Sequence, residues 1–548
     1  MIYRYNKKIS LPPLLILFLG ALACTLFTNN PILTNENPTK IVATHTVVSV
    51  SASPSVTPSP LPPTPLATMD DPAIVAETNP GVEFNFADLS PYHQAMLPEF
   101  ADDVETVAAT GASRYDIEVE VEFPESGEAR LAGNELVRYT NTEARPLSEI
   151  YFRLYPNLPG YGGEMRVEEV LVDNTPIEPI LEAEDSALRA PLTEPLQPGE
   201  TTIISLTFQA TAAPTVNAGY NVFSYSDQTL AMAGFYPVIA VYDDEGWNIE
   251  VPPPYGDATY LDVSLYQVQL TVPESMVVAA SGSQVGSQAN EDGTKTLALV
   301  SGPMRDFYIV MRADFEAVSE LVDGIVVTSI YPPELKSGSI LALRYAADAL
   351  RVFNERFGPY PYAEFEVVAT PTTAGGVEYP GIVVVSKNLY GQSGGFFQHA
   401  TAHEVAHQWW YGLVGNDQVD EPWLDEALTN YSTILYWEEI EGPDTANRII
   451  EDFFRGPYER AKENGQDRAV AGPVSDFSEG EYGVFVYGKG PLFFEALRQD
   501  VGDDLFLDIM KSYYAEYKYK IARPDDLLTI IERVSGRDIR PLFETWIE

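Results

Sequence analysis

His403-Glu404-Val405-Ala406-His407-Gln408-Trp409-Trp410-Tyr411-Gly412, followed by Pro422-Trp423-Leu424-Asp425-Glu426-Ala427-Leu428, is the stretch on which the reading of this chain turns. In a helix, residues four apart share one face, about one turn from each other. His403 and His407 so placed reach one ion, and Zn2+ accepts imidazole nitrogens at about 2.0–2.1 Å. The flanking run Phe396 to Leu413 is apolar enough for a buried helix, expected over 396–414. Of the five histidines in the chain, two fall at this spacing around a glutamate, which two incidental helix histidines would not explain. A third donor, Glu426, stands nineteen positions after His407 on a second helix, expected over 422–440. Pro422 opens that helix at a favoured first-turn position. Burying a carboxylate there is costly without a cation. Two His and one Glu leave a fourth position open, as catalytic rather than structural zinc requires. The motif predicts one Zn2+ held by His403, His407 and Glu426. Glu404 is then the general base that takes a proton from the attacking water. His399 and Asn430, each one turn from a ligand, read as supporting side chains rather than ligands.

Outward from this stretch the pattern changes character. Upstream, Tyr115 to Phe123 alternates with period two, a half-buried strand. Similar runs follow at 135–140, 150–154, 202–208, 265–272, 296–299 and 307–311, separated by Gly, Pro and Asn. Regular short strands without a helical period predict an antiparallel β-sandwich or saddle. A short leading helix is expected over 91–104. From about Gly324 the reading is mixed: strands at 325–331, 365–370 and 382–386, and a helix over 340–357. Helices then dominate at 396–414, 422–440, 443–456, 489–500, 503–517, 525–535 and 539–547.

The N-terminal end carries Arg4, Lys7 and Lys8, an apolar run from Ile9 to Leu22, and Gly20-Ala21-Leu22-Ala23-Cys24. This is the layout of a signal peptide over 1–23. The run is shorter than the roughly twenty apolar residues of a membrane span. Its ending resembles the lipobox of bacterial lipoproteins, which implies a lipidated Cys24; an uncleaved anchor is the alternative. Residues 24–90 include the Pro- and Ser-rich run Ser53 to Pro63 and read as a disordered tether. The expected location is the cell envelope, extracytoplasmic, lipid-anchored to the membrane through Cys24. With one cysteine, no disulfide framework is possible. Eighty acidic against 33 basic residues give a formal charge of −47, which argues against a nucleic-acid partner. An acidic field near the site favours cationic substrates such as free amino termini.

The quoted stretch resembles the gluzincin aminopeptidases, aminopeptidase N and its relatives. Their pattern is HExxH, eighteen residues, then Glu within a Trp-Leu-Asn-Glu-Gly-like run; here Asp425 and Ala427 depart from it. Gly375-Gly376-Val377-Glu378-Tyr379 is similar to the family's Gly-x-Met-Glu-Asn motif. The resemblance implies that Glu378 binds the substrate's α-amine, with the backbone of Gly375, Gly376 and Val377 along the substrate. Val486-Tyr487-Gly488-Lys489-Gly490 resembles the family's Tyr-x-Lys-Gly, which implies that Tyr487 hydrogen-bonds the oxyanion, with Tyr482 as the fallback. Arg114-Tyr115-Asp116-Ile117, Leu154-Tyr155-Pro156-Asn157, Gly234-Phe235-Tyr236-Pro237 and Ala279-Ala280-Ser281-Gly282 look like landmarks of the family's N-terminal β-domain. No equivalent of the family's N-domain Gln stands at Leu230–Ala233.

The expected fold is therefore multidomain. An antiparallel β-sandwich or saddle over 91–322 is followed by an α+β thermolysin-like catalytic domain over 323–548, and the larger members' helical C-terminal domain is absent. The implied function is zinc-dependent removal of N-terminal residues from peptides with free N-termini. The alternatives are a zinc endopeptidase or oligopeptidase with an open cleft, and a non-catalytic zinc-binding lipoprotein.

Overall fold

The computed structural model describes residues 85–214, 219–392 and 395–548. The expected signal peptide, Cys24 and the expected tether up to residue 84 lie outside the described residues. Among those described, no helix is long and apolar enough to cross a membrane.

The alternating runs upstream become one eight-stranded sheet. Its order is Ser283–Ala289, Thr294–Val300, Leu265–Pro273, Arg114–Glu122, Ala129–Thr140, Thr201–Ala212, Gly163–Val172 and Thr175–Pro176. Pairing is antiparallel except between Arg114–Glu122 and Leu265–Pro273. Two four-stranded sheets, built on Leu147–Arg153 and Ile309–Arg312, complete this β-rich part. Along Ala129–Thr140 buried and exposed residues alternate strictly at first, so one face packs inward and the other meets water. The expected leading helix is instead two 3-10 turns, Ser90–Ala95 and Pro98–Phe100, and then an α-helix, Asp103–Ala109. Pro91 and Pro98 start each turn but break the run into pieces.

The second part rests on a five-stranded sheet: β1 (Glu316–Val322), β2 (Ile325–Tyr331), β3 (Glu364–Thr370), β4 (Gly376–Tyr379) and β5 (Ile382–Ser386), in the order β1-β2-β3-β5-β4. The hairpin β1–β2 crosses residue 323, so this sheet begins before the expected boundary. Strands β2, β3 and β5 are parallel, whereas β4 runs antiparallel to β5 and forms the edge. All residues of β5 are buried, as a central strand covered on both faces requires. Helix α1 (Lys336–Arg356) buries Ala342, Leu343, Ala346, Ala347, Ala349, Leu350 and Phe353 and packs on α2 (Gly395–Ala406) and α3 (Trp423–Glu441). The expected helix over 396–414 stops at Ala406. There the chain turns back, with Tyr411 at φ 100° and the Gly412 N–H donating to the His407 carbonyl at 2.9 Å. The expected helix over 443–456 also divides, into Pro443–Ile449, a wide π-turn Ile450–Arg455, and Gly456–Glu463.

A single buried guanidinium ties the two parts together behind the site. Arg305, 1% exposed, donates through Nε to the Tyr411 carbonyl at 2.8 Å and through Nη1 to the Leu261 carbonyl at 2.9 Å. Its Nη2 donates to the carbonyls of Leu413 and Lys520. Gly415 makes room for it, since a Cβ there would lie 2.1 Å from the guanidinium carbon. Four carbonyls thus converge on one cation, and of them the Leu413 carbonyl also accepts from the Tyr519 N–H at 2.6 Å. Arg305→Met is expected to lower the unfolding free energy by about 3 kcal/mol in chemical denaturation. An unchanged midpoint would show that the clamp carries no load.

Candidate metal centre and active-site cleft

Helices α2 and α3 cross so that three donors meet. His403 Nε2 and His407 Nε2 are 3.1 Å apart, and Glu426 Oε2 lies 3.3 Å from the first and 3.5 Å from the second. Ligand atoms of a tetrahedral Zn2+ are roughly 3.3 Å apart at ordinary Zn–N and Zn–O lengths, so the triangle has the size the ion needs. The chemistry of the donors agrees. His407 Nδ1 is 3.0 Å from the Trp410 carbonyl, which can only accept, so Nδ1 carries the proton and the Nε2 lone pair faces inward. The Thr429 hydroxyl stands 3.2 Å from the same Nδ1. Glu426 Oε2 is buried without any hydrogen-bond partner, an orphan that a cation would satisfy. The adjacent histidine nitrogens hold Glu426 well below the usual carboxylate range in spite of its burial. His399 is directed elsewhere: its Nδ1 accepts from Trp437 Nε1 at 3.3 Å. Burial holds its imidazole down to about 3, with the neighbouring His403 acting in the same direction. Asn430 donates to the Tyr487 carbonyl at 3.4 Å and so links α3 to the tyrosine segment.

Glu404, 5% exposed, is on the same helix face. Burial, reinforced by the charge of Glu378, pushes its carboxyl well above the ordinary range, against the pull of His407. Edge strand β4 passes directly over it. A Cβ at Gly376 would lie 2.4 Å from Glu404 Oε1, so only glycine lets the strand approach this closely. Gly375 immediately precedes the strand, while Val377 and Glu378 lie within it and line the cavity alongside. The Glu378 carboxylate accepts from Gln418 Nε2 at 3.1 Å, and the same amide donates to Asp425 Oδ2 at 2.7 Å. Thr259, from the β-rich part, donates to Gln418 Oε1. Tyr487 donates its hydroxyl to Glu426 Oε1, and its ring lies 6.0 Å from that of His403. The structure therefore brings Glu378, Glu404 and Tyr487 to the donor triad. Tyr482 is beside them, its ring 5.6 Å from Tyr487.

Three residues of this cleft were not singled out in the sequence. Gln408 follows the second histidine and spans the β4–β5 turn: its Nε2 donates to the Tyr379 carbonyl at 3.0 Å, and the Gly381 N–H donates to its Oε1 at 2.9 Å. It fixes the edge strand to the metal helix. Gln418 is the link between Glu378 and Asp425. Asp257 enters from the β-rich part and carries a buried, unpartnered Oδ2. The position of Gln408 inside the motif was the one available signal. Gln418 and Asp257 are on connecting loops, where no periodicity marks them.

Residues 341–546 match the model of the Peptidase family M1 domain. Over 300 residues the chain is 25% identical to aminopeptidase M1-C of Oryza sativa subsp. japonica, covering 51% of this chain and 34% of that protein. It is 26% identical over 226 residues to aminopeptidase N of Lactococcus lactis subsp. lactis, covering 38% of this chain and 26% of that protein. The chain spans about a third of the length of the curated relatives it matches. Among solved structures, the M1 zinc metallopeptidase from Deinococcus radiodurans aligns over 80% of this chain and 93% of its own, at 24% identity and a TM-score of 0.61. A mutant of that enzyme bound to a Tyr-Ser-Ala substrate aligns over 80% of this chain and 94% of its own, at 23% identity and a TM-score of 0.60. These likenesses carry the fold: a largely antiparallel β-domain followed by an α+β catalytic part. Residues 341–546 are thus similar to a Peptidase family M1 domain, and the described fold is that of the M1 zinc metallopeptidase structures.

Proposed function

We propose that this chain removes N-terminal residues from peptides with free amino termini, using one Zn2+ held by His403, His407 and Glu426. The observation that carries this reading is the close approach of edge strand β4 to Glu404, which puts an amine-binding carboxylate, a base and the donor triad in one cleft. When bound, Zn2+ supplies a Lewis acid that polarises the scissile carbonyl and eases the deprotonation of water. The free edge of β4 aligns the peptide backbone as an added strand. Glu378, held by Gln418, receives the substrate α-ammonium and so fixes which bond reaches the base. Glu404 takes the proton from water as its oxygen attacks the carbonyl carbon. It then returns the proton to the leaving nitrogen as the C–N bond breaks. Tyr487 turns its hydroxyl from Glu426 to the developing oxyanion.

The envelope location belongs to the same proposal. It rests on the basic start, the apolar run Ile9 to Leu22, the lone Cys24 and the Pro-rich segment behind it. In that arrangement the cleft stands outside the cytoplasmic membrane. Metabolic labelling with a fatty-acid precursor is expected to mark the full chain and not Cys24→Ser; equal labelling of both would remove the anchor.

Two sets of variants test the chemistry. Glu404→Gln is expected to retain zinc and lose roughly 10²- to 10⁴-fold in kcat on aminoacyl fluorogenic amides. Near-full activity in that variant would sink the assignment. Under dialysis, His407→Ala should lose the metal while His399→Ala keeps it. Gly376→Ala, which pushes a methyl into Glu404, is expected to cost about 10²-fold in kcat with the fold intact by circular dichroism. Wild-type protein should cleave free-amine peptides and leave their N-acetylated counterparts untouched.

A further inference from the structure

The turn that reverses the chain after α2 is made at Tyr411, whose φ is 100°. Among the described residues, the other non-glycine residues of positive φ lie between 47° and 67°, in the left-handed helical region. A bulky side chain at 100° is strained, and glycine would make the same turn without strain. Strain of this kind persists only where neighbours fix the backbone, and it gathers at functional sites. Here the neighbours are in place. The Tyr411 N–H donates to the Val414 carbonyl at 2.8 Å, and Arg305 Nε donates to the Tyr411 carbonyl at 2.8 Å. What glycine would not supply is the side chain. Tyr411 is 3% exposed and lines one cavity with Glu378 and with Thr259 of the β-rich part.

Around the buried Gln418 the partners dictate which atom donates. Its Nε2 faces two carboxylates, Glu378 Oε1 at 3.1 Å and Asp425 Oδ2 at 2.7 Å, and a carboxylate accepts. Gln418 Oε1 is therefore the end that faces the Thr259 hydroxyl, and Thr259 donates to it. A hydroxyl has one proton, so that of Thr259 is committed there. The Tyr411 hydroxyl stands 3.5 Å from Thr259 Oγ1, and the Tyr411 proton is the one left for that contact. A one-way series results, from Tyr411 to Thr259, from Thr259 to Gln418, and from Gln418 to Glu378. It passes from the catalytic part into the β-rich part and back. Its first link is the longest and the weakest. Phenylalanine at 411 would fill the same space and leave the series to start at Thr259.

We propose that Tyr411 and Thr259 are positioning residues for Glu378, and that the strained turn at Tyr411 serves to aim its hydroxyl at Thr259. The inference rests on the aminopeptidase reading above. Both residues act through Gln418, which their hydroxyls hold with its amide nitrogen towards Glu378. With Oε1 fixed by that nitrogen, the carboxylate gives up less freedom when it receives an ammonium. Each hydroxyl in the series polarises the next, so the bond to Glu378 is stronger than an isolated amide would make it. The series acts on substrate binding and leaves the attacking water and Glu404 alone.

The test uses the full zinc-loaded chain with Tyr411→Phe, Thr259→Val, Thr259→Ser and the double variant Tyr411→Phe/Thr259→Val. KM and kcat are measured on alanyl and leucyl fluorogenic amides, and zinc content in each protein. Binding of L-leucinamide is measured by calorimetry in the Glu404→Gln background. Tyr411→Phe and Thr259→Val are each expected to raise KM roughly 3- to 10-fold, with kcat within about twofold and zinc unchanged. L-leucinamide binding should weaken by the same factor. Thr259→Ser keeps the hydroxyl and should keep the wild-type KM. Because both residues act through one series, the double variant should be no worse than the poorer single. An unchanged KM in Tyr411→Phe, which retains the ring and the fold, overturns the proposal whatever Thr259→Val does. A fall in kcat accompanied by zinc loss overturns it too, since the pair would then support Asp425 and the metal. So do effects that multiply in the double variant, which would make the two residues independent. If wild type cleaves N-acetylated peptides as well as free ones, the aminopeptidase reading fails first, and that result is visible without any variant.

Discussion

Two imidazole lone pairs and one carboxylate oxygen pointed at a single spot, 3.1 to 3.5 Å from one another, are untenable in a buried site without a cation. Much of the catalytic part is arranged to hold that convergence. The Trp410 carbonyl fixes the tautomer of His407, and this is possible only because the chain reverses immediately after α2. The buried length of α3 carries Glu426 to the meeting point. The hydroxyl of Tyr487 holds the second oxygen of Glu426, so the first is left for the ion. Arg305 anchors the reversed segment from behind by gripping its carbonyls.

Around this centre the cleft is rich in acid and its connectors are neutral amides. Gln408, Gln418 and Asn416 link the metal helix, the edge strand and the loop before α3 without adding positive charge. An arginine or lysine in their place would neutralise Glu378 and Asp425 from within. Amides keep those carboxylates ordered and still available to a ligand's charge. Asp425, which stands where the resembled pattern has Asn, is pushed up to about 7 by burial and by Glu426 beside it.

The legible parts of the chain were those in which one short-range rule governs. Period-two alternation in Arg114–Glu122 and Thr201–Ala212 reads directly as strand because each residue either enters the core or leaves it. Gly163–Val172 escaped because only Met165 and Val170 are buried along it and a register shift between Val167 and Glu169 interrupts the period. The donor triad was legible because HExxH packs two ligands and a base into five residues. Resemblance, not periodicity, pointed to Glu378 and Tyr487. The end of α2 was misread since Trp409, Trp410 and Leu413 are as apolar as a helix interior, yet the tertiary bonds of His407 and Arg305 stop the helix first. Asp257 was out of reach altogether. It is about 120 residues from Glu378 in sequence, in a proline-rich loop that looks like a linker until the fold lays it across the cleft.

The central claim is that a metal ion sits among His403, His407 and Glu426. Anomalous diffraction collected on either side of the zinc edge, from crystals of the purified chain, addresses it most directly. The expected result is one strong peak within roughly 2.0–2.2 Å of both Nε2 atoms and of Glu426 Oε2. No peak there in zinc-supplemented crystals, or a peak centred on other side chains, would contradict it.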